Sequence, residues 1–423
     1  MNKINVFEAF AGIGAQRKAL TKLIKGTKIK ANFVGYAEWD IHAIIAYNKI
    51  HYNSKIIPSA YWKKDKKKMI DYLKTKNLSS NTKTKVKANY WEKLNIFKLT
   101  DIYYHIKFSE KNGNIFDIKN LSKKTYKNID LLTYSFPCTN LSIQGKREGI
   151  KKGNESGLLY EIEKYLKITP KKNLPQFLLM ENVPALINKR NIKIFEKWKK
   201  ELVKLGYNND YKILDATNFG SVQKRKRIFM VSTLGKKINL PTKKRECLKW
   251  SYQEISYILE PLNKKNISTK LNKYLPNKLE SNVEVEKRWK WKKGGDKRKV
   301  LKIPLNNYST YKSENTLYHP FLYGPTLTAT GALSKIKIAW YSQKKYKYFD
   351  RIRIMTPQEC WKYMGFTNYD YWKVEIDNLI SPNKMRMLAG NSICIEILEE
   401  IFRIILKLPE KLCNNVCCEK KHL

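Results

Sequence analysis

The chain has 423 residues, 42% of them hydrophobic, enough for a large buried core and too many for a disordered protein. Lys and Arg number 84 against 37 Asp and Glu, a net charge of +47, and a field of that size favours a polyanionic partner, nucleic acid before anionic membrane. No stretch approaches the roughly 20 apolar residues of a membrane helix, the apolar part of MNKINVFEAFAGIG is too short for a signal peptide, and seven Cys at unrelated spacings argue for a reducing cytosol rather than a disulfide framework.

In chain order, INVFEAF reads as a strand and AQRKALTKLIK as a helix, with Ala15, Ala19, Leu20, Leu23 and Ile24 on one face. ANFVGYAEW, IDLLTYSF, QFLLMENV and RIFMVST read as further strands, apolar almost throughout. Continuous apolar strands separated by helical patterns predict an α/β fold with a mostly parallel sheet covered on both faces. From about 240 to 320 the pattern dissolves into Lys, Asn, aromatic residues and turn signals, RWKWKKGGDKRK among them, as expected of a smaller irregular unit. Helical patterning returns in TPQECWKYMGF and in NSICIEILEEIFRIILKL, which is apolar enough to pack back on the core. Cys413, Cys417, Cys418 and His422 crowd the C-terminus without paired Cys-x-x-Cys spacing, so the reading there is a solvated tail and no metal site.

FEAFAGIGAQRKAL follows a strand and opens a helix, a place for backbone to approach a ligand through Gly12 and Gly14. Glu38, at the end of the second strand, is placed to accept hydrogen bonds from both hydroxyls of a ribose. Arg17 occupies the place of the third glycine of the dinucleotide fingerprint, which argues against NAD and allows a nucleoside without pyrophosphate; S-adenosylmethionine fits. Asp117 in GNIFDI is either an adenine contact or an ordinary turn-forming Asp.

IDLLTYSFPC runs from a strand into a loop, and ligands in such folds sit beyond the carboxyl ends of the strands. That makes Cys138 a candidate nucleophile, although a free Cys is often only a small buried hydrophobe. The strand QFLLM, if parallel, brings Glu181 to the same edge, and QKRKR sets Gln223, Arg225 and Arg227 on one face at period two. A thiol, a carboxylic acid and a guanidinium beside a nucleoside cofactor suit methylation of cytosine at carbon 5. Thiolate attack at carbon 6 makes carbon 5 nucleophilic, a carboxyl at ring nitrogen 3 offsets the developing charge, and an Arg holds the ring oxygen. An unperturbed thiol of pKa about 8.5 is only a few per cent thiolate at neutral pH, and the positive surroundings should raise that fraction.

These residues carry a resemblance. In order, FAGIG, EW at 38–39, NIFDI, SFPC, ENV, QKRKR, GPTLTATGA and GNSICIEIL resemble the blocks of the DNA (cytosine-5) methyltransferases, in particular the prokaryotic enzymes that methylate CpG. The resemblance covers nearly the whole chain apart from the variable stretch. It implies a Rossmann-like, class I S-adenosylmethionine-dependent methyltransferase fold with a smaller irregular target recognition domain. The implied division is 1–236 for the catalytic domain, 237–345 for target recognition, 346–384 for a hinge segment, and 385–423 for a returning C-terminal helix and tail.

The resemblance makes Cys138 the nucleophile and Glu181 the ligand of the cytosine edge, with Asn182 supporting the loop. It gives Arg227 the ring oxygen and Arg225 a phosphate or the catalytic loop. Phe10, Ala11, Gly12, Gly14, Glu38 and Trp39 would line the cofactor, joined by Asp117, Ile118, Pro137, Leu158, Asn391 and Ser392. Phe136 and Pro137 would shape the base pocket. Residues from Thr139 to about Lys152 would form a mobile loop hinged at Gly145, Gly149 and Gly153, and Gln144 would fill the space left by the flipped base. Ser142, Lys146 and Arg147 would contact DNA, as would Tyr311, Ser313, Asn315 and Thr328 from the recognition unit. Two positions depart from the family: Thr139 stands where Gln is usual, and Glu155 where this branch tends to carry Arg, exchanging a phosphate contact for a repelling charge. The partner expected is double-stranded DNA in a bacterial cytoplasm, met by a monomer, with a cognate restriction endonuclease acting on the same site as a further candidate partner. Methylation of structured RNA and a catalytically weakened DNA-binding homologue are the alternatives.

Overall fold

The computed structural model describes residues 2–54, 61, 64–122, 128–137, 155–243, 255–259, 300, 302–305, 309–311, 314–320, 322–340 and 351–409. Cys138, Thr139, Ser142, Gln144, Lys146, Arg147 and the three hinge glycines lie outside the described residues, as do Ser313, the RWKWKKGGDKRK stretch and the C-terminal Cys and His. Glu155 opens a short 3-10 turn, Glu155–Leu158.

The strands are β1 (Lys3–Ala9), β2 (Lys30–Ala37), β3 (Leu131–Tyr134), β4 (Phe177–Asn182), β5 (Tyr207–Asp215) and β6 (Lys226–Leu234). They form one sheet in the order β2-β1-β3-β4-β6-β5. β1, β2, β3 and β4 run parallel, β6 is antiparallel to β4, and β5 is antiparallel to β6. The sheet is therefore mainly parallel, as expected, with one reversed strand. Sequence pattern missed β5 because YNNDYKILD is polar at most positions, as suits an outermost strand.

Why the inner strands read as unbroken apolar runs is visible in the core. Val6, Leu131, Leu179 and Val231 face one layer while Phe7, Leu132, Leu178 and Met230 face the other, so both faces of each strand are buried. The first layer contains α1 (Ala15–Ile24), α2 (Ile41–Tyr52), α3 (Lys66–Lys74), α4 (Ala88–Glu92) and α5 (Ile96–Lys111). The second contains α6 (Leu159–Ile168) and α7 (Ile192–Lys204). Further along, the chain rejoins the first layer through α8 (Pro357–Tyr363), α9 (Asn368–Glu375), α10 (Pro382–Asn391) and α11 (Ile395–Ile405), and α11 packs on α1 as its apolar sequence predicts. A capping box of Thr356 and Glu359 starts α8.

A second sheet, in the order β10-β9-β8-β7, joins β7 (Lys302–Pro304), β8 (Thr316–Tyr318), β9 (Lys337–Trp340) and β10 (Arg351–Ile354). The expected boundary at 345/346 thus falls between two paired antiparallel strands, β9 and β10. Among the described residues no helix is long and apolar enough to cross a membrane.

Candidate active site

The carboxyl ends of β1, β2, β3 and β4 open on one edge of the sheet, and the expected cofactor residues collect there. Beyond β1, Phe10, Gly12 and Gly14 all take positive φ (59°, 55° and 76°). This tight turn lets the Gly14 N–H reach the Ala11 carbonyl at 2.9 Å and the Ala11 N–H reach the Ala37 carbonyl at 3.1 Å. A Cβ on Gly12 would meet nothing within 4 Å, whereas one on Gly14 would lie 2.2 Å from His51 Nε2. Gly12 therefore faces open space and Gly14 faces packed side chains.

Glu38 meets this turn from β2. Its Oε2 accepts from the Gly12 N–H at 2.8 Å, and its Oε1 accepts from the Trp39 and Asp40 N–H groups at 2.8 Å each. Burial pushes the carboxyl up to about 7 against these donors, which favour its charged form. Asn114, a buried residue to which sequence reading gave no role, holds the Glu38 backbone from both sides: its Oδ1 accepts from the Glu38 N–H and its Nδ2 donates to the Glu38 carbonyl, each at 3.0 Å. The signal was its place in the GNIFDI block, where an isolated parallel bridge joins Asn114 to Tyr36.

Asp117 caps its own turn, accepting from the Lys119 N–H at 3.0 Å, and takes Asn77 Nδ2 at 2.9 Å on its other oxygen. Ile118 is buried in the core, Leu158 is half-buried against it, and Trp39 is half-buried at the edge. Asn391 is exposed, and the Ser392 hydroxyl oxygen is buried with no hydrogen-bond partner among the described residues.

Beneath the glycine turn lies a buried network that sequence reading also missed. Glu8 is wholly buried and accepts from the Arg17 N–H at 2.9 Å and from the Tyr47 hydroxyl at 2.5 Å. The Arg17 guanidinium lies over the rings of Phe33 and Tyr52 at 4.5 and 4.2 Å. Burial holds His51 well below the usual imidazole range, so it is neutral, and its Nε2 donates to the Ile13 carbonyl at 3.0 Å. Arg17 thus fills the place of the missing glycine as a support for the turn.

At the tip of β4, Glu181 is buried and its Oε1 lies 3.3 Å from Arg227 Nε. Burial raises the Glu181 pKa, and the guanidinium groups of Arg227 and then Arg225 oppose the rise. Asn182 Nδ2 donates to the Phe136 carbonyl at 3.0 Å, and its Oδ1 accepts from the Val183 N–H at 2.8 Å. The tip of β4 is thereby tied to the Phe136-Pro137 dipeptide that directly precedes Cys138.

The period-two reading of QKRKR matches the burial pattern. Gln223 and Arg225 are buried, Arg227 is half-buried, and Lys224 and Lys226 are exposed. Arg225, expected at a phosphate or the catalytic loop, also makes buried bonds to backbone. Its Nη1 donates to the Leu327 carbonyl at 2.6 Å and its Nη2 to the carbonyls of Gly390 and Ser392 at 3.0 Å. Of the residues expected to contact DNA, Tyr311 is largely exposed. Asn315 uses its side chain on both backbone groups of Ser309, at 2.8 and 2.9 Å. Thr328 donates to the Thr330 carbonyl at 2.7 Å.

Sheet order and site together define a class, the Rossmann-like methyltransferases. Among solved structures the chain resembles the S. pombe Dnmt2 methyltransferase, with a TM-score of 0.60 at 17% identity over 96% of this chain and 98% of that one. Residues 77–407 match the C-5 cytosine-specific DNA methylase family. The orphan methyltransferase M.SssI of Spiroplasma monobiae is 43% identical over 403 residues, 94% of this chain and 96% of that protein. The type II methyltransferase M2.ScrFI of Lactococcus lactis subsp. cremoris is 31% identical over 96% of this chain and 99% of that protein. The chain belongs to the C-5 cytosine-specific DNA methylase family. It is a DNA (cytosine-5) methyltransferase, and its family and fold are those of S-adenosylmethionine-dependent enzymes.

Proposed function

We propose that this enzyme methylates cytosine at CpG in duplex DNA, with Cys138 as nucleophile and Glu181 and Arg227 as the groups that bind and polarise the flipped base. The observation that carries the reading is the tip of β4, where a buried acid sits beside Arg227 and its neighbour Asn182 anchors the two residues before Cys138. The Cys138 thiolate adds to carbon 6 of the ring. Glu181, whose burial favours its protonated form, shares a proton with ring nitrogen 3 as negative charge builds there. Arg227 holds Glu181 in place and takes the ring oxygen, so that carbon 5 becomes electron-rich. The base must leave the helix for these contacts, and residues 139–152, with Gln144, would take its place.

S-adenosylmethionine fits the edge of the sheet. Gly12 leaves open space, Glu38 is half-buried beside it, and the Ser392 hydroxyl oxygen has no partner among the described residues. Phe10, Gly12, Gly14, Glu38 and Trp39 would hold its nucleoside together with Asp117, and Asn391 and Ser392 its other end. When bound, it supplies an electrophilic methyl group carried on a sulfonium. CpG follows the resemblance of the sequence blocks to the CpG-methylating branch, and the lack of a cognate endonuclease follows the likeness to M.SssI, which is named an orphan methyltransferase.

A duplex carrying 5-fluorocytosine at CpG should form a denaturation-resistant complex with the wild-type enzyme and none with Cys138→Ala. Equal trapping by both would remove Cys138 from the reaction. Bisulfite sequencing of plasmid from expressing cells should show protection at CpG, and protection in another context would overturn the site.

A further inference from the structure

The Arg225 guanidinium lies between two segments to which the family resemblance gives different ligands, DNA at Thr328 and the cofactor at Asn391. On one side its Nη1 donates to the carbonyl of Leu327, the residue directly before Thr328. On the other its Nη2 donates to the carbonyls of Gly390 and Ser392, the two residues that flank Asn391. Gln223, two residues earlier on the same face, accepts from the Leu327 N–H at 2.9 Å, and its Oε1 also accepts from Arg225 Nη1 at 3.4 Å. The peptide groups of Leu327 are thus held at N–H and carbonyl alike by neighbouring side chains of one stretch. The two segments also touch through their backbones, since a Cβ on Gly390 would lie 2.4 Å from Thr328 C and O.

A guanidinium is planar and its donors are fixed relative to one another. Displacing the turn around Asn391 therefore displaces the Leu327 carbonyl, with no flexible stem between the two to absorb the movement. Cofactor and DNA residues are otherwise far apart in sequence. We infer that Arg225 is a positioning residue that couples cofactor occupancy at Asn391 to DNA occupancy at Thr328. The inference rests on the cofactor role proposed above for Asn391 and on the DNA contact that the family resemblance gives Thr328. By linkage the coupling is reciprocal: the cofactor tightens DNA by the same factor by which DNA tightens the cofactor.

The test is a binding cycle on the full chain, which needs no turnover. Dissociation constants for a CpG-containing duplex are measured with and without saturating S-adenosylhomocysteine, for the wild type, Arg225→Lys, Gln223→Met and Lys226→Met. In the wild type the analogue should tighten duplex binding about fivefold or more, the lower end of ordinary allosteric coupling. Arg225→Lys keeps the charge but presents one ammonium, which cannot span both segments, and should bring that ratio to within about twofold of one. Gln223→Met, which releases the Leu327 N–H together with Gln223's contacts to Arg225 Nη1 and the Tyr363 carbonyl but leaves the Arg225 bonds to Leu327, Gly390 and Ser392, should lower the ratio partway and stands in should the lysine variant fail to fold. Lys226→Met removes an exposed cation and should weaken duplex binding with and without the analogue alike, leaving the ratio unchanged. A merely structural role for Arg225 would lower the melting temperature and leave the ratio where it was. That result, or a wild type that binds both ligands independently, overturns the coupling. A wild type that binds neither duplex nor analogue overturns the proposed function itself, and the coupling with it.

Discussion

Gly14→Ala should damage the enzyme through two separable effects. Gly14 has φ 76° and ψ 45° at the start of α1, a left-handed conformation that disfavours any side chain by roughly 1–2 kcal/mol. Its new methyl group would lie 2.2 Å from His51 Nε2 and 2.8 Å from Tyr47 Cε2. Neither neighbour can yield freely. His51 is held by the Ile13 carbonyl, while Tyr47 is fully buried, stacks on Tyr36 at 4.2 Å and donates to Glu8. Overpacking of this kind adds about 1–3 kcal/mol, so we expect a total loss of roughly 2–5 kcal/mol in urea unfolding, with the midpoint falling and the slope unchanged. Gly26→Ala is the control, because Gly26 has φ +80° but a Cβ there meets nothing within 4 Å. It should show the conformational part alone. Adding His51→Ala to Gly14→Ala should restore part of the difference. Because the same turn presents the Gly12 N–H, Gly14→Ala should also weaken S-adenosylhomocysteine about tenfold or more, the equivalent of about 1.4 kcal/mol, while Gly26→Ala leaves it unchanged. Equal destabilisation by the two alanines, or unchanged analogue affinity in Gly14→Ala, would refute the packing argument.

Two further outcomes follow from buried charge. Burial raises the Glu38 carboxyl from an ordinary 4.5 to about 7; in the unliganded enzyme its contribution to stability is therefore complete below the ordinary value and lost as pH rises toward about 7. Ribose hydroxyls donate to the charged form, so analogue affinity should climb with pH up to that value and then level off, with proton release measurable by calorimetry; Glu38→Gln should flatten the profile, and a flat wild-type profile would contradict the assignment. Arg353 and Glu359 form a fully buried bidentate pair at 2.8 and 2.7 Å that fastens β10 to α8. Arg353→Met should cost about 3–5 kcal/mol by leaving the carboxylate unpaired, Arg353→Met with Glu359→Gln should recover much of it, and a single variant as stable as the wild type would show the pair to be dispensable.

How much of this was legible in the sequence depended on range. Strands buried on both faces announce themselves by composition, so β1, β3 and β4 were readable, while β5 at the sheet edge was not. Glu38 and Glu181 were readable because parallel strands bring their carboxyl ends to one edge whatever else the chain does. Asn114, Tyr47 and His51 were not, since each acts through a partner that only tertiary packing supplies. The pairing of β9 with β10 across the expected boundary was hidden for a different reason: short strands in a Lys-rich segment leave no periodic signature.

The QKRKR stretch shows where period-two reasoning stops. It places Gln223, Arg225 and Arg227 on one face, and burial agrees. It cannot say which cation meets the base, because alternation assigns all three the same side. What separates them is depth. Arg227 is the second residue of β6, opposite Leu214 on β5, and reaches across to Glu181 on β4, the strand whose tip is tied to Phe136, two residues before Cys138 in sequence. Arg225 lies two residues further from the sheet, where the chain at Leu327 and the turn at Gly390 to Ser392 arrive together. Their carbonyls are concentrated partial negative charge in a buried place, and a guanidinium with its fork of donors is the side chain that satisfies three of them at once. Neutralising Arg225 should therefore unsettle the junction of the two ligand segments while Glu181 keeps its partner. Neutralising Arg227 should leave the junction intact and push the Glu181 pKa further up, since the main charge opposing its rise would be gone. Two arginines on one face, two residues apart, would then fail in different assays.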